Sequence, residues 1–270
     1  MSDKSDSYLA RIGLDPDAVR ETDFKTLARL QRAHVTSVPF ETLSITGDPF
    51  GDEDESDGEE VILTLPHLYE KIVERERGGF CFELNGLFGW LLTDIDFDAD
   101  RIAAGMLGDD GDPRPPANHH ANLVSLDRSY VVDVGTGTPP IRRPIPLDGS
   151  AVTDAAEVEW RVVESDRPDA EYMTQYREPS AEEWADRYIF DATPRKLGYF
   201  EATCDHLATA PESTFTGDPV VTISTENGHK KLSHGTLTRS ERGDETEREV
   251  GDDEWHDVLE SEFGLRYGSE

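Results

Sequence analysis

The stretch RERGGFCFELNGLFGWLL, residues 75–92, places Cys81, one of only two cysteines, after a pair of glycines and at the head of an apolar run. Leu84, Leu87, Phe88 and Leu91 recur at helical spacing, which predicts a helix whose first turn carries Cys81. Gly78 and Gly79 allow a tight backbone turn into it. A first helical turn offers unpaired backbone N–H groups and the positive end of the helix dipole. Such surroundings are expected to lower the thiol pKa and favour the thiolate, the nucleophilic form. The same N–H groups can bind a developing oxyanion. Standing alone, a cysteine beside apolar residues reads as readily as a small buried hydrophobe.

A nucleophilic thiol needs a base, and the base needs an orienting acid. NHHANLVSLDRSYVVDVG, residues 118–135, supplies both. It reads as a hairpin turning around Asp127–Ser129, with His119 or His120 opening one strand and Asp133 ending the other. Closure at that turn brings a histidine and Asp133 within about one ladder position. The carboxylate would then fix the imidazole tautomer and support an imidazolium. Taken singly, the histidines fit a loop or surface and Asp133 fits a strand-end turn.

The flanking elements must position these groups. YLARIGL and DFKTLARLQRAHVTSVPF carry helical periodicity, with Asp23 as a cap for the second. GDPFGDEDESDGEE, residues 47–60, reads as an exposed loop. LTLPHLYEKIVERE reads as another helix that tolerates Pro66 near its first turn. Residues 1–93 are therefore expected to be mostly helical. From 94 to 194 the segments RIAAGML, HHANLVSLD, SYVVDVG, EWRVVES and EYMTQYRE predict a run of antiparallel strands, interrupted by the loops PRPPAN and GTGTPPIRRPIP. Residues 195–270 form a third, mixed region. It holds a hairpin turning at Asn227-Gly228 and a terminal helix in WHDVLESEFGLRY.

The 270 residues include 58 Asp plus Glu against 26 Lys plus Arg, a formal net charge of -32. Such a field argues against duplex nucleic acid and against an anionic membrane surface as partners. It fits either a disordered acidic chain or a folded protein of a salt-rich cytoplasm, where self-repulsion is screened. Four Trp, eleven Phe and acids dispersed along the whole chain favour the folded, halophilic reading. No apolar run reaches the roughly 18 residues of a spanning helix, and the opening MSDKSDSYLARIGLD shows no signal-peptide apolar stretch. Cys81 and Cys204 read as free thiols in a reducing cytoplasm, without the spacing of a metal site.

RGGFCFELNGLF resembles the arylamine N-acetyltransferase signature "RGG-aromatic-C-x-E-x-N". HHANLVSLDRSYVVDVG is similar to that family's histidine strand and "DVGFG". HVTSVPFETLSI matches the helix and "PFEN" near its N-terminus, and FEATCDHLATAPESTF its later "S/T-x-P-x-S-x-F". The resemblance implies an α+β fold: an N-terminal helical bundle with the nucleophile, a central antiparallel β-barrel with the histidine and acid, and a C-terminal α/β lid. The core would resemble that of cysteine proteases and transglutaminases.

By the same resemblance Cys81 is the acyl-accepting nucleophile and Asp133 the triad acid. His119 is the family's histidine if the shortened turn DRSY absorbs a one-residue difference. His120 would shift the strand by one and reverse every side-chain face. Arg77 and Glu83 match a charged pair expected to brace the helix start, and Asn85 a hydrogen bonder near the site. Phe40 and Phe80 are the expected substrate-side aromatics. Thr136 stands where the family has an aromatic that helps bind the aryl substrate, Thr42 replaces the Asn of "PFEN", and Cys204 carries no motif.

The implied activity is ping-pong transfer from acetyl-CoA to small aromatic amines or hydrazines. Acetyl-CoA would be a cosubstrate, with no bound cofactor or metal, in a cytoplasmic monomer or small homo-oligomer of a haloarchaeal type. A strongly acidic protein that binds CoA phosphates must offer them a local Arg or Lys cluster or a helix N-terminus. The same triad would also serve a cysteine amide synthase or hydrolase, and the fold alone could serve as a non-catalytic binding module.

Overall fold

The computed structural model describes residues 2–51, 58–108, 111 and 114–267. Helix α1, Asp3–Arg11, starts from a capping box in which Ser2 and Ser5 satisfy each other's backbone N–H. Helix α2, Phe24–Ser37, is capped by Asp23, whose side chain accepts from Thr26 N at 2.7 Å. The buried stripe of α2 is Leu27, Leu30, Gln31, His34 and Val35, so two polar side chains lie on its inner face. Strand β1, Phe40–Glu41, and the single turn α3, Leu43–Thr46, follow.

The helix expected over residues 63–76 is shorter and less regular. It comprises α4, Leu65–Tyr69, with Pro66 in its first turn, and then a π-helical turn, Glu70–Glu74. Helix α5, Cys81–Asp94, begins at the cysteine. It is buried nearly all round, as expected for a helix at the centre of a core. The expected loop 47–60 is not exposed where it begins. Gly47 and Asp48 are buried, and the Asp48 carboxylate accepts from His256 Nε2 at 2.8 Å and from Phe50 N at 2.9 Å. Residues 52–57 of that expectation lie outside the described residues.

Strands β2, Asp98–Met106; β3, His119–Ser125; β4, Ser129–Val132; β5, Ile145–Pro146; β6, Val152–Thr153; β7, Glu159–Glu164; β8, Tyr172–Arg177; and β9, Ala185–Arg195, form one antiparallel sheet. Its order is β5-β4-β3-β2-β9-β8-β7-β6. β5 at one end packs against β7 near the other, so the sheet curls almost into a barrel. Ile102, Ala121, Val131, Trp160, Val162 and Tyr188 fill its interior, while Val124, Tyr130 and Val132 join the helices in a second core. This inward–outward alternation is the period-two pattern of a sheet covered on both sides.

Helix α6, Glu201–Thr209, strands β10, Val221–Ser224; β11, Gly228–Leu232; β12, Thr236–Glu241; and β13, Asp244–Glu249, and helix α7, Trp255–Phe263, complete the chain. The second sheet runs β1-β10-β11-β12-β13. Its first member comes from the N-terminal region, with Phe40 opposite Thr222 and Glu41 opposite Val221, a long-range pairing that no local pattern announces. No helix among the described residues is long and apolar enough to cross a membrane.

Candidate active site

The β3–β4 hairpin pairs Ser125 with Ser129 and Asn122 with Val132. Continuing that register puts Asp133 opposite Ala121, two residues from His119 and on the same face. The His119 Nε2 and Asp133 Oδ2 atoms are 2.7 Å apart, and both residues are buried. His120, next in the strand, points to the other face. Its Nε2 hydrogen-bonds Phe82 O at 3.1 Å, and its ring stacks on Phe200 at 4.6 Å and on Phe82 at 5.8 Å. Burial pushes its imidazole down to about 3, so it is neutral and donates from Nε2 to that carbonyl. The structure therefore sets His119, not His120, against Asp133.

Asp133 is held from several sides. Asn85 Nδ2 donates to its Oδ1 at 2.8 Å and Gly135 N donates to the same oxygen at 2.9 Å. Burial alone would raise this carboxyl, but His119 and these donors outweigh it and keep the pKa below the usual carboxylate range. Asn85 also donates to His120 O at 2.8 Å and accepts from Val134 N at 2.9 Å. One side chain on the second turn of α5 thus staples the ends of both strands.

Cys81 opens α5 against this hairpin end. A Cβ placed on Gly135 would lie 2.7 Å from Cys81 Cα and 2.8 Å from Asn85 Nδ2, so only glycine lets the strand end approach the helix start. Cys81 Sγ lies 4.0 Å from Asn118 O, the residue before His119. The expectation of a depressed thiol pKa is corrected. Burial pushes the thiol up, with the neighbouring Cys204 and the Asp133 carboxylate adding to it, and the Phe82 N–H beside it offsets only part of this. Burial therefore favours the neutral thiol over the thiolate at this helix start.

The expected Arg77–Glu83 pair is also corrected. Arg77 pairs with Glu41 at 2.9 Å, while Glu83 pairs with Lys71 at 2.7 Å, and Lys71 to Glu41 at 3.7 Å links the two. All four are buried. Two cations and two carboxylates compensate one another where a lone charge would be costly. Glu83 Oε2 also accepts from Phe80 N at 3.1 Å, so the network does brace the helix start, through a different partner.

Phe80 is fully buried, and Phe80 and Phe40 both pack on Phe215. Phe40 lines a small cavity with Thr136, Gly137, Thr222 and His229. Thr136 is buried, and its carbonyl accepts from Arg187 at 2.6 Å. Cys204 is buried in the same core as Cys81.

Four neighbours of the site escape sequence reasoning. Gln31 Nε2 bonds Asp133 O at 3.2 Å and Ile141 O at 2.8 Å; Asn118 places its carbonyl by the thiol; the Tyr188 ring lies 5.3 Å from His119; and Lys71 serves the ion network. Gln31 and Lys71 left a signal, being polar residues on apolar helical stripes. Tyr188 left none.

A thiol at a helix start, packed against the hairpin end that carries an imidazole tied to a buried carboxylate, is the arrangement of cysteine-nucleophile enzymes, here carried on a mixed α/β fold with a nearly closed eight-stranded sheet. The N-acetyltransferase family profile matches residues 23–269. The arylamine N-acetyltransferase of Mycolicibacterium smegmatis is 32% identical over 232 residues, 83% of this chain and 78% of that protein. The solved arylamine N-acetyltransferase of Salmonella typhimurium superposes with a TM-score of 0.87 at 25% identity, over 100% of this chain and 96% of that one. That of Mycobacterium marinum, solved in complex with CoA, gives 0.82 at 25% identity over 96% and 92%. The chain belongs to the arylamine N-acetyltransferase family.

Proposed function

We propose that the protein transfers an acetyl group from acetyl-CoA to the nitrogen of arylamines or arylhydrazines, with Cys81 carrying the acetyl group between two half-reactions. The observation that carries the mechanism is the 2.7 Å contact between His119 Nε2 and Asp133 Oδ2. It occupies Nε2 and leaves Nδ1 as the nitrogen that can take a proton from the thiol. As Sγ forms its bond to the thioester carbonyl carbon, His119 accepts the thiol proton and Asp133 stabilises the imidazolium. Backbone N–H groups at the start of α5 hold the oxyanion. The carbon–sulfur bond to CoA then breaks, and CoA leaves with the proton from His119. The amine next attacks the acetyl-enzyme and gives a proton to His119. The Sγ–carbon bond breaks, and the proton returns to Sγ. Arylamines suit the second step because they are unprotonated near neutral pH.

Phe40 and Phe80 are assigned to the aryl side of the site and Arg77, Glu83 and Asn85 to its support. Thr136 in place of an aromatic bears on acceptor preference rather than on the chemistry. The reading divides the chain into a helical unit through residue 93, a barrel unit over 94–194 and a lid from 195, with a core like that of cysteine proteases. The net charge of -32 supports a cytoplasmic, salt-adapted setting of haloarchaeal type, as a monomer or small homo-oligomer.

Intact-mass measurement with peptide mapping, after mixing with acetyl-CoA in molar potassium chloride, tests the mechanism. One acetyl group on Cys81, lost on adding an arylamine, is expected. A folded protein that stays unmodified by acetyl-CoA but turns over an ester or amide would instead be a hydrolase or amide synthase.

A further inference from the structure

Strand β9 carries one residue more than its neighbour β8 between two of their pairs. Thr174 lies opposite Tyr188 but Gln175 lies opposite Asp186, so Arg187 is the extra residue of a β-bulge. Bulges re-aim a side chain and recur beside active sites. Here the guanidinium leaves β9 for the loop after β4, where its Nη2 donates to Thr136 O at 2.6 Å and to Thr138 O at 3.2 Å. We propose that Arg187 is a positioning residue of the acetyl transfer, which fixes the loop that follows Asp133 and sets a permanent positive charge on the barrel side of the His119–Asp133 pair. The assignment rests on the function proposed above.

Stability alone does not explain this placement. Arg187 is half-buried, its Nε is shielded from solvent without a hydrogen-bond partner, and among the described residues it forms no ion pair. By contrast, buried Arg142 and buried Arg77 each meet a carboxylate, Asp154 at 2.7 Å and Glu41 at 2.9 Å. A cation taken from water without such a partner lowers stability. Burial pulls the Arg187 pKa below its ordinary value, and Tyr176, Asp133 and Tyr188 oppose the fall. A guanidinium starts so high that it stays charged. Of the three opposing groups Asp133 is the carboxylate, so the charge that answers Arg187 belongs to the site itself.

Both bonded carbonyls belong to the segment that leaves the site. Gly135, which packs on Cys81, precedes Thr136. Gly137, between the two carbonyls, has a φ of 70°, the left-handed turn that lets both face one donor. Arg187 therefore restrains the strand end whose approach sets the thiol against the hairpin. The next residue, Tyr188, places its ring 5.3 Å from His119. The titratable groups around the His119–Asp133 pair are Cys81 from α5, Tyr188 and Arg187 from β9, and His120 from β3. Of these, Arg187 carries a positive charge throughout the reaction. That charge favours the Asp133 carboxylate and makes the proton acceptors it faces release their protons more readily.

The test compares Arg187→Gln and Arg187→Lys with wild type at one fixed salt concentration, with circular dichroism to verify folding. Two rates are followed against pH: acetylation of Cys81 by acetyl-CoA, and alkylation of Cys81 by iodoacetamide, which needs no acyl donor. Arg187→Gln is expected to slow acetylation by about 10²-fold through misplacement of the loop. It is also expected to move the acid limb of both profiles up by roughly half a pH unit, since loss of a positive charge makes thiolate and imidazole hold protons more tightly. Arg187→Lys keeps the charge but not the planar fork, so its acid limbs stay in place while its acetylation rate falls between the other two. Wild-type rates and limbs in a folded Arg187→Gln would overturn the assignment. So would a role confined to stability, in which both variants melt at lower temperature while the profiles of the folded protein stay unchanged. If Arg187→Gln does not fold, Arg187→Lys decides: wild-type acetylation overturns the assignment, and slowed acetylation with unshifted limbs upholds it. A wild type that is alkylated but never acetylated at Cys81 would remove the proposed function and leave the alkylation profiles to judge Arg187.

Discussion

The two adjacent histidines do different work because successive strand residues face opposite ways. His119 meets Asp133, and His120 is sealed between Phe82 and Phe200. His119→Gln is therefore expected to slow acetylation of Cys81 by about 10²- to 10⁴-fold, the usual worth of a general base, while His120→Gln still forms the acetyl-enzyme. His120 carries a further consequence for stability. Its folded pKa of about 3 lies below the ordinary 6.5 of the unfolded chain. Between those values the unfolded state binds the extra proton, so stability is lost as pH falls below 6.5. At pH 5 the difference is about 2 kcal/mol for this one group. Urea unfolding at constant salt should show a decline from pH 7 to pH 5 that is smaller by about that amount in His120→Gln. A decline equal to that of wild type would place the histidine's charge elsewhere.

At the scale of elements, the site is a junction between the start of α5 and the open end of the β3–β4 hairpin. Gly135 sets how closely they meet. Gly135→Ala puts a methyl group against Cys81 Cα and Asn85 Nδ2, both parts of elements locked by packing. The expected result is a loss of about 1–3 kcal/mol in stability from overpacking. Displacement of thiol from imidazole should lower the acetylation rate by about 10²-fold or more. Wild-type acetylation kinetics in a stable Gly135→Ala protein would refute this account of the junction. The hairpin, its turn and the helix that begins at Cys81 were all legible, because each is encoded within a few residues of itself. The ion network behind α5 was not. The sequence shows Arg77 and Glu83 six residues apart and invites a pair, but Glu41 and Lys71 come from other elements and are the partners that form.

At the scale of the molecule, the net charge of -32 is a property of the whole surface. Raising salt from about 0.01 M to 1 M shortens the screening length from about 30 Å to 3 Å and removes most of the self-repulsion. A gain of several kcal/mol corresponds to a Tm rise of about 10 °C for a chain of this size. Thermal unfolding across potassium chloride concentrations should show it; a Tm that stays level would refute salt adaptation.

The sequence by itself determined the order of helical, strand-rich and mixed regions, because hydrophobic periodicity and turn residues act over short spans. It also determined the three residue types that converge, because Cys81, the histidine pair and Asp133 sit in long, specific motifs. Tertiary structure alone decided the rest. It joined β1 to the distant β10, buried Asp48 at the start of an apparent loop, and gave Glu83 its lysine. It also set the surroundings of the thiol: local reasoning weighed only the dipole of α5, whereas burial among both strands and the core pushes the thiol pKa up.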